Sequence, residues 1–224
     1  MKVTTDACLF GAWAVGQIIQ EKISINNCLD IGTGTGLLSL MLAQKTDVDI
    51  EAIELDEDAA AQAAENLSAC AFRNSINIRN ADVRKYHFEK KYDVLISNPP
   101  FYENELKSIS TKKNTAHHSE NLLMHELLDI IKNNLSPAGY FFLLLPFKRN
   151  EEIRELMTTF DLNLHRIVLV RQSVLHDYFR LMLMGSNNNG NFSETQFDEL
   201  AIWDERRNYT EEFVRLLQDY YLYL

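Results

Sequence analysis

The ten residues LDIGTGTGLL, Leu29 to Leu38, decide the fold. An apolar run of strand type, CLDIG (Cys28–Gly32), runs into three alternating glycines, Gly32, Gly34 and Gly36, and then into a helical run, LLSLMLAQ (Leu37–Gln44). Glycines at a strand-to-helix turn let backbone N–H groups approach a ligand closely. The pattern is D-x-G-x-G-x-G, with Asp30 leading. A dinucleotide fingerprint, G-x-G-x-x-G, needs its third glycine where Leu37 stands, so that ligand class is disfavoured.

Outward from this turn, strands and helices alternate. IEAIEL (Ile50–Leu55) predicts a strand, and EDAAAQAAENLSACA (Glu57–Ala71) an Ala-rich helix with acids in its first turn. INIRNAD (Ile76–Asp82) and YDVLIS (Tyr92–Ser97) predict two more strands. ENLLMHELLDIIKNNL (Glu120–Leu135) has apolar residues at helical spacing, GYFFLLLP (Gly139–Pro146) reads as a central strand after the turn SPAG, and EEIRELMTTF (Glu151–Phe160) is helical. HRIVLVRQ and YFRLMLMGS are strands separated by Ser173–Asp177 alone, which predicts an antiparallel pair. TEEFVRLLQDYYLYL closes the chain as an aromatic-rich helix. The expected architecture is α/β, a Rossmann-like, seven-stranded, doubly wound and mostly parallel sheet with one antiparallel strand. Right-handed crossovers put the strand carboxyl ends on one edge, where ligands bind at the switch point. No linker divides the chain. Residues 1–224 read as one domain, with a short N-terminal element (1–27), a ligand-binding half (28–100) and a substrate-side half (101–224).

Composition narrows the classes. Hydrophobic residues make up 46% and charged residues 24% of 224, as in a globular domain. The three cysteines, Cys8, Cys28 and Cys70, lack metal-ligand spacing and predict reduced thiols in a cytoplasm. No apolar run reaches membrane-span length, and no metal site is expected. A net charge of -10 argues against a general nucleic-acid coat protein. The acidity is uneven: Arg73–His118 holds nine basic against five acidic residues, a local +4, which reads either as a solvated face or as a landing patch for phosphates.

The chemistry-bearing residues follow the strands. Glu54 ends the second strand about 20 residues after the glycine loop, where a ribose-binding acid is expected, and Asp82 ends the third. The fourth strand stops at Asn98-Pro99-Pro100-Phe101. Asn98 and Pro99 each precede a proline, so both are held extended. The Asn98 side-chain oxygen and the Pro99 carbonyl then offer two neighbouring acceptors, which suit an –NH2 group with two hydrogens. Phe101 can stack on the flat ring that bears the amine.

These residues carry a resemblance. The glycine loop resembles the cofactor loop of S-adenosylmethionine-dependent methyltransferases. SNPPF resembles the [DNS]-P-P-[YF] motif of amino-methyltransferases, which act on adenine N6, cytosine N4 or a glutamine side-chain amide. MKVTTDACLFGAW at the start and RNYTEEFVRLLQDYYLYL at the end resemble the bacterial tRNA adenine-N6-methyltransferases that modify the adenine next to the anticodon of a valine tRNA. Family members carry a short aromatic and basic segment ahead of KVTTD, whereas this sequence opens with that element at Met1. The resemblance implies S-adenosylmethionine as cofactor, held by Thr5, Asp30, Gly32, Gly34, Gly36, Glu54, Asp82 and Asn98. It implies methyl transfer to an adenine amine held by Asn98, Pro99, Pro100 and Phe101. The partner implied is tRNA, met by a monomer, with Lys107, Lys112 and Lys113 after Phe101 reaching phosphates.

Other readings carry specific signals. Thr5 and Asp6 also suit a helix N-terminus before ACLFGAW. His117 and His118 fit a polar loop. Trp13 and the Tyr220/Tyr221/Tyr223 cluster fit packing, and Cys70 fits a small buried hydrophobe. A protein-glutamine methyltransferase would carry a long helical N-terminal domain, and a DNA adenine methyltransferase extra recognition sequence. A non-catalytic RNA-binding protein would have no chemical reason to keep Asn98-Pro99-Pro100-Phe101 intact.

Overall fold

A computed structural model describes residues 2–70, 76–99, 122–187 and 194–224. Pro100, Phe101, Lys107, Lys112, Lys113, His117 and His118 lie outside them. The elements run α1 (Thr5–Gln20), β1 (Asn27–Ile31), α2 (Leu37–Lys45), β2 (Asp49–Glu54), α3 (Glu57–Ser68), β3 (Ile76–Asn80) and β4 (Tyr92–Ser97). They continue with α4 (Met124–Asn134), β5 (Leu135–Pro146), α5 (Asn150–Thr159), β6 (Leu162–Ser173), β7 (Tyr178–Asn187), β8 (Gln196–Trp203) and α6 (Glu211–Leu217).

The strands form one sheet in the order β3-β2-β1-β4-β5-β7-β6-β8. Pairing is parallel except at β7, which runs antiparallel to both β5 and β6. The expected hairpin is therefore present, and it supplies the one reversed strand. The sheet has eight strands among the described residues, not the expected seven. The additional one, β8, lies parallel to β6 at the edge. Its residues 196–199 are exposed and buried positions begin only at Leu200, so only its second half, Leu200–Trp203, carries an apolar run, and that run is four residues long.

Period-2 alternation along β5 splits the core. Phe142 and Leu144 face one side with Leu9, Phe10 and Trp13 of α1, Met41 and Leu42 of α2 and Phe213 of α6. Phe141, Leu143 and Leu145 face the other with Leu127 and Ile131 of α4 and Ile153 and Met157 of α5. Burial of each such side chain contributes roughly 1.5–3 kcal/mol. Helix α1 is apolar nearly all round and is correspondingly buried from Ala7 to Val15. It approaches α2 so closely that a Cβ on Gly11 would meet Met41 Sδ at 2.6 Å. Helix α3 starts where Asp56 accepts the Ala59 N–H at 2.8 Å, and it buries Ala59, Ala60, Ala63 and Leu67 on one face. Trp13, Tyr220 and Tyr221 pack as expected, while Tyr223 is exposed. No helix among the described residues is long and apolar enough to cross a membrane.

Candidate active site

Strand order reverses about β1 and β4, so their carboxyl ends open a crevice. A buried bond fixes it: Ser97 Oγ, at the end of β4, donates to the Ile31 carbonyl at the end of β1, at 2.7 Å. The crevice is a groove of about 1410 Å³, lined among others by Gly32, Gly34, Glu54, Asp82, Asn98 and Pro99. Six of the residues singled out from sequence thus converge. Asp30 and Gly36 stand behind the groove wall. Thr5 is exposed and bonds Tyr221, while its neighbours Thr4 and Asp6 line the groove.

The glycine loop adopts left-handed geometry at all three glycines, with φ of 69° at Gly32, 58° at Gly34 and 80° at Gly36, which only glycine takes without strain. The Ile53 carbonyl accepts the Gly32 N–H at 2.8 Å, tying the loop to β2. Beneath the loop, Asp30 is fully buried. Its Oδ2 accepts the hydroxyls of Thr33 and Ser39, both at 2.7 Å. Its Oδ1 is buried with no hydrogen-bond partner. Burial pushes the Asp30 pKa up to about 6, against the pull of the Ser39 and Thr33 hydroxyls, and the Glu54 charge adds to the rise.

Glu54 points back at the loop. Its Oε2 accepts the Gly34 N–H at 2.8 Å and its Oε1 the Asp56 N–H at 3.0 Å. Asn80 Nδ2 donates to the Glu54 and Leu55 carbonyls, both at 3.0 Å, and so holds that strand end. Asp82 is gripped by one arginine: Arg84 Nε and Nη2 donate to Oδ1 and Oδ2, each at 2.8 Å. The Arg84 guanidinium holds the Asp82 carboxyl below the usual range, with burial opposing, so it stays an ionised acceptor.

Sequence reasoning missed Ser39, Arg84, Asn80 and Arg180. Ser39 had a signal, as the one hydroxyl in the apolar run LLSLMLAQ. Arg84 stands two residues after Asp82, but only the fold turns it back on that carboxylate. Among the described residues no group of three or more His, Cys, Asp or Glu could hold a metal ion.

A glycine loop on β1, acids at the ends of β2 and β3 and an Asn-Pro turn after β4, all on one groove, are the arrangement of a methyltransferase. A predicted O-methyltransferase from Agrobacterium tumefaciens superposes with a TM-score of 0.69 at 15% identity, covering 94% of each chain. The magnesium protoporphyrin IX methyltransferase of Synechocystis, solved with bound S-adenosylmethionine, superposes at 0.59 and 16% identity over 81% of this chain and 80% of its own. The methyltransferase small domain family matches residues 11–145. A tRNA1(Val) (adenine(37)-N6)-methyltransferase from Parabacteroides distasonis is 35% identical over 99% of this chain and 91% of its own. The enzymes of that name from Christiangramia forsetii and Klebsiella pneumoniae are 35% and 34% identical, each over all of this chain and 92% and 89% of their own. The chain belongs to the family of tRNA1(Val) (adenine(37)-N6)-methyltransferases.

Proposed function

We propose that this chain transfers a methyl group from S-adenosylmethionine to the N6 amine of the adenine beside the anticodon in a valine tRNA. The observation that carries the reading is the convergence of the Asn98–Pro99 turn with Gly32, Gly34, Glu54 and Asp82 on one groove. The cofactor supplies an activated sulfonium methyl. The residues present fit it. The glycine loop leaves room for close approach, and Asp30 Oδ1 is a buried acceptor with no donor, which the cofactor's ammonium group can reach through a water. Glu54 is assigned to the ribose hydroxyls and Asp82, oriented by Arg84, to the cofactor's adenine amine.

Asn98 Oδ1 and the Pro99 carbonyl accept the two N–H bonds of the target amine. That arrangement draws its lone pair out of the ring plane and aims it along the groove. Positioning then supplies most of the rate, and no side-chain nucleophile is required. The base leaves its stack to reach the turn. Pro100 and Phe101 extend the holder, and Lys107, Lys112 and Lys113 contact phosphates; both assignments rest on sequence. We assign residues 1–224 to one domain that works as a cytoplasmic monomer.

The test is incubation of the protein with S-adenosylmethionine and unmodified tRNA, followed by mass spectrometry of the nucleosides. N6-methyladenosine at one position is expected with the wild type, and its formation at least about a hundredfold slower with Asn98→Ala. Methylation of a protein glutamine instead would overturn the assignment.

A further inference from the structure

We propose that Arg180, through its ion pair with Asp6, is a positioning residue that holds the N-terminal segment 2–6 in place as one wall of the cofactor groove. The inference rests on the reading of that groove as the S-adenosylmethionine site. Arg180 Nε donates to Asp6 Oδ2 at 2.7 Å, joining residues 174 apart in sequence. The pair links the first turn of α1 to the beginning of β7. Both residues line the groove, as do Lys2, Val3, Thr4 and Ala7. The extended stretch that enters α1 is therefore a wall of the site, and Asp6 is its anchor.

Four features make the pair a latch. The Asp6 carboxylate is fully engaged, with Oδ1 accepting the Ala7 N–H at 3.2 Å and Oδ2 taken by Arg180. The side chains are only 15% and 27% exposed, so their attraction is screened far less than on an open surface. Burial pushes the Asp6 carboxyl up, but the Thr4 hydroxyl and Arg180 outweigh it and leave it below the usual range, so the anchor is charged at neutral pH. The opposite end of the latch is stiff. Arg180 pairs with Pro146 of β5 on one side and Val170 of β6 on the other, so it is held within a three-strand ladder. A largely desolvated ion pair such as this adds little net stability over a hydrophobic contact of the same shape, and the best-attested use of such pairs is to fix register. Here the register fixed is that of the segment entering α1 over a ligand groove.

The segment walls the cofactor groove, and Arg180 is held in place by the β5–β7–β6 ladder. Loss of the pair should therefore weaken cofactor binding before it weakens the fold. Calorimetry of S-adenosylmethionine binding, without tRNA, is the test. Arg180→Met and Asp6→Asn should each raise the cofactor Kd about tenfold, and the double variant should be no worse than either single one, because the two act as a unit. Melting temperatures should stay within a few degrees of wild type. The exchanged pair, Asp6→Arg with Arg180→Asp, should recover part of the affinity. A Kd within twofold of wild type in both single variants would overturn the proposal, whatever their melting temperature. Should Arg180→Met fail to fold, Arg180→Lys retains the charge without the planar fork, and an unchanged Kd there together with an unchanged Kd in Asp6→Asn overturns it equally. If the wild type binds no S-adenosylmethionine, the reading of the groove fails. If the wild type binds and the variants bind equally well, the latch alone fails.

Discussion

Replacing Asp30 by Asn separates what its charge does for the ligand from what it does to the fold. The carboxyl titrates near 6 in the folded chain against an ordinary 3.8, because burial disfavours the anion. Below pH 3.8 both folded and unfolded chains carry the proton; between 3.8 and about 6 the folded chain alone retains it. Stability therefore falls as pH rises through this window and is level above it. A shift of about two units corresponds to about 3 kcal/mol at 1.36 kcal/mol per unit. The Asn variant cannot titrate. Its carbonyl oxygen can still accept from Thr33 and Ser39, and its amide fills the Oδ1 position at a pH-independent penalty of about 1–3 kcal/mol. The difference in unfolding free energy between variant and wild type should then move in the variant's favour by about 2 kcal/mol from pH 4.5 to 7.5, the part of the window those conditions span. Urea denaturation of both proteins at the two pH values measures it. A difference that stays constant within about 0.5 kcal/mol would refute the buried-anion account, since one unit alone is 1.36 kcal/mol. Calorimetry supplies the counterpart. Wild-type affinity for S-adenosylmethionine should be level above pH 6 and drop up to about tenfold per unit below it, whereas Asp30→Asn should bind weakly and without that slope.

Asn98→Ala should leave cofactor affinity within about twofold and lower turnover on tRNA at least about a hundredfold, the scale seen when one preorganised polar contact is removed; steady-state kinetics at saturating cofactor decides it, and near-wild-type turnover would dismiss the amine-holder role. Arg84→Met removes the fork that orients Asp82, so cofactor Kd should rise severalfold while kcat at saturation holds; a lowered kcat with unchanged Kd would place Arg84 on the wrong substrate. Gly185→Ala puts a Cβ 2.2 Å from Phe141 Cζ and 2.4 Å from the Asn163 carbonyl, and should destabilise the fold by about 3 kcal/mol, as overpacking of a tight site does. Chemical denaturation at neutral pH measures that, and a variant as stable as wild type would mean that β5, β6 and β7 are less closely packed there than described.

The sequence carried the site further than it carried the sheet edge. Gly32, Gly34 and Gly36 were legible because left-handed backbone at a strand-to-helix turn leaves a compositional mark. Asn98 and Pro99 were legible because proline restricts its predecessor whatever surrounds it. Strand β8 was not, since an edge strand buries little and its first half reads as loop. SPAG, read as a turn, lies within β5, where a register shift between Tyr92 and Val94 absorbs it. The Asp6–Arg180 pair joins residues 174 apart and depends on which elements the topology brings together, and hydrophobic periodicity carries no information on that; Asp82–Arg84 is a local pair within one turn, set by backbone geometry that periodicity does not report either. Thr5 and Asp6 illustrate the limit well. The motif pointed to the right turn of α1, but only the packing shows that Tyr221 takes Thr5 and Arg180 takes Asp6.

The eighth strand also changes what the sheet offers to other sheets. An uncovered strand presents a row of open backbone donors and acceptors that a foreign strand can extend into a fibre or a stuck oligomer. Had the sheet ended at β6, that row would have belonged to HRIVLVRQ, whose apolar residues make it an inviting template. Instead the outermost row belongs to β8, whose adjacent Asp198 and Glu199 point to opposite faces and are both exposed. An approaching strand meets a carboxylate on whichever face it lays its side chains. At the other margin β3 shows Asn77, Arg79 and Asn80. Among the described residues both borders of the sheet are thus guarded against accretion, and the guard at β8 is anchored by Arg166 at 3.6 Å from Asp198 and Arg171 at 2.9 Å from Glu199.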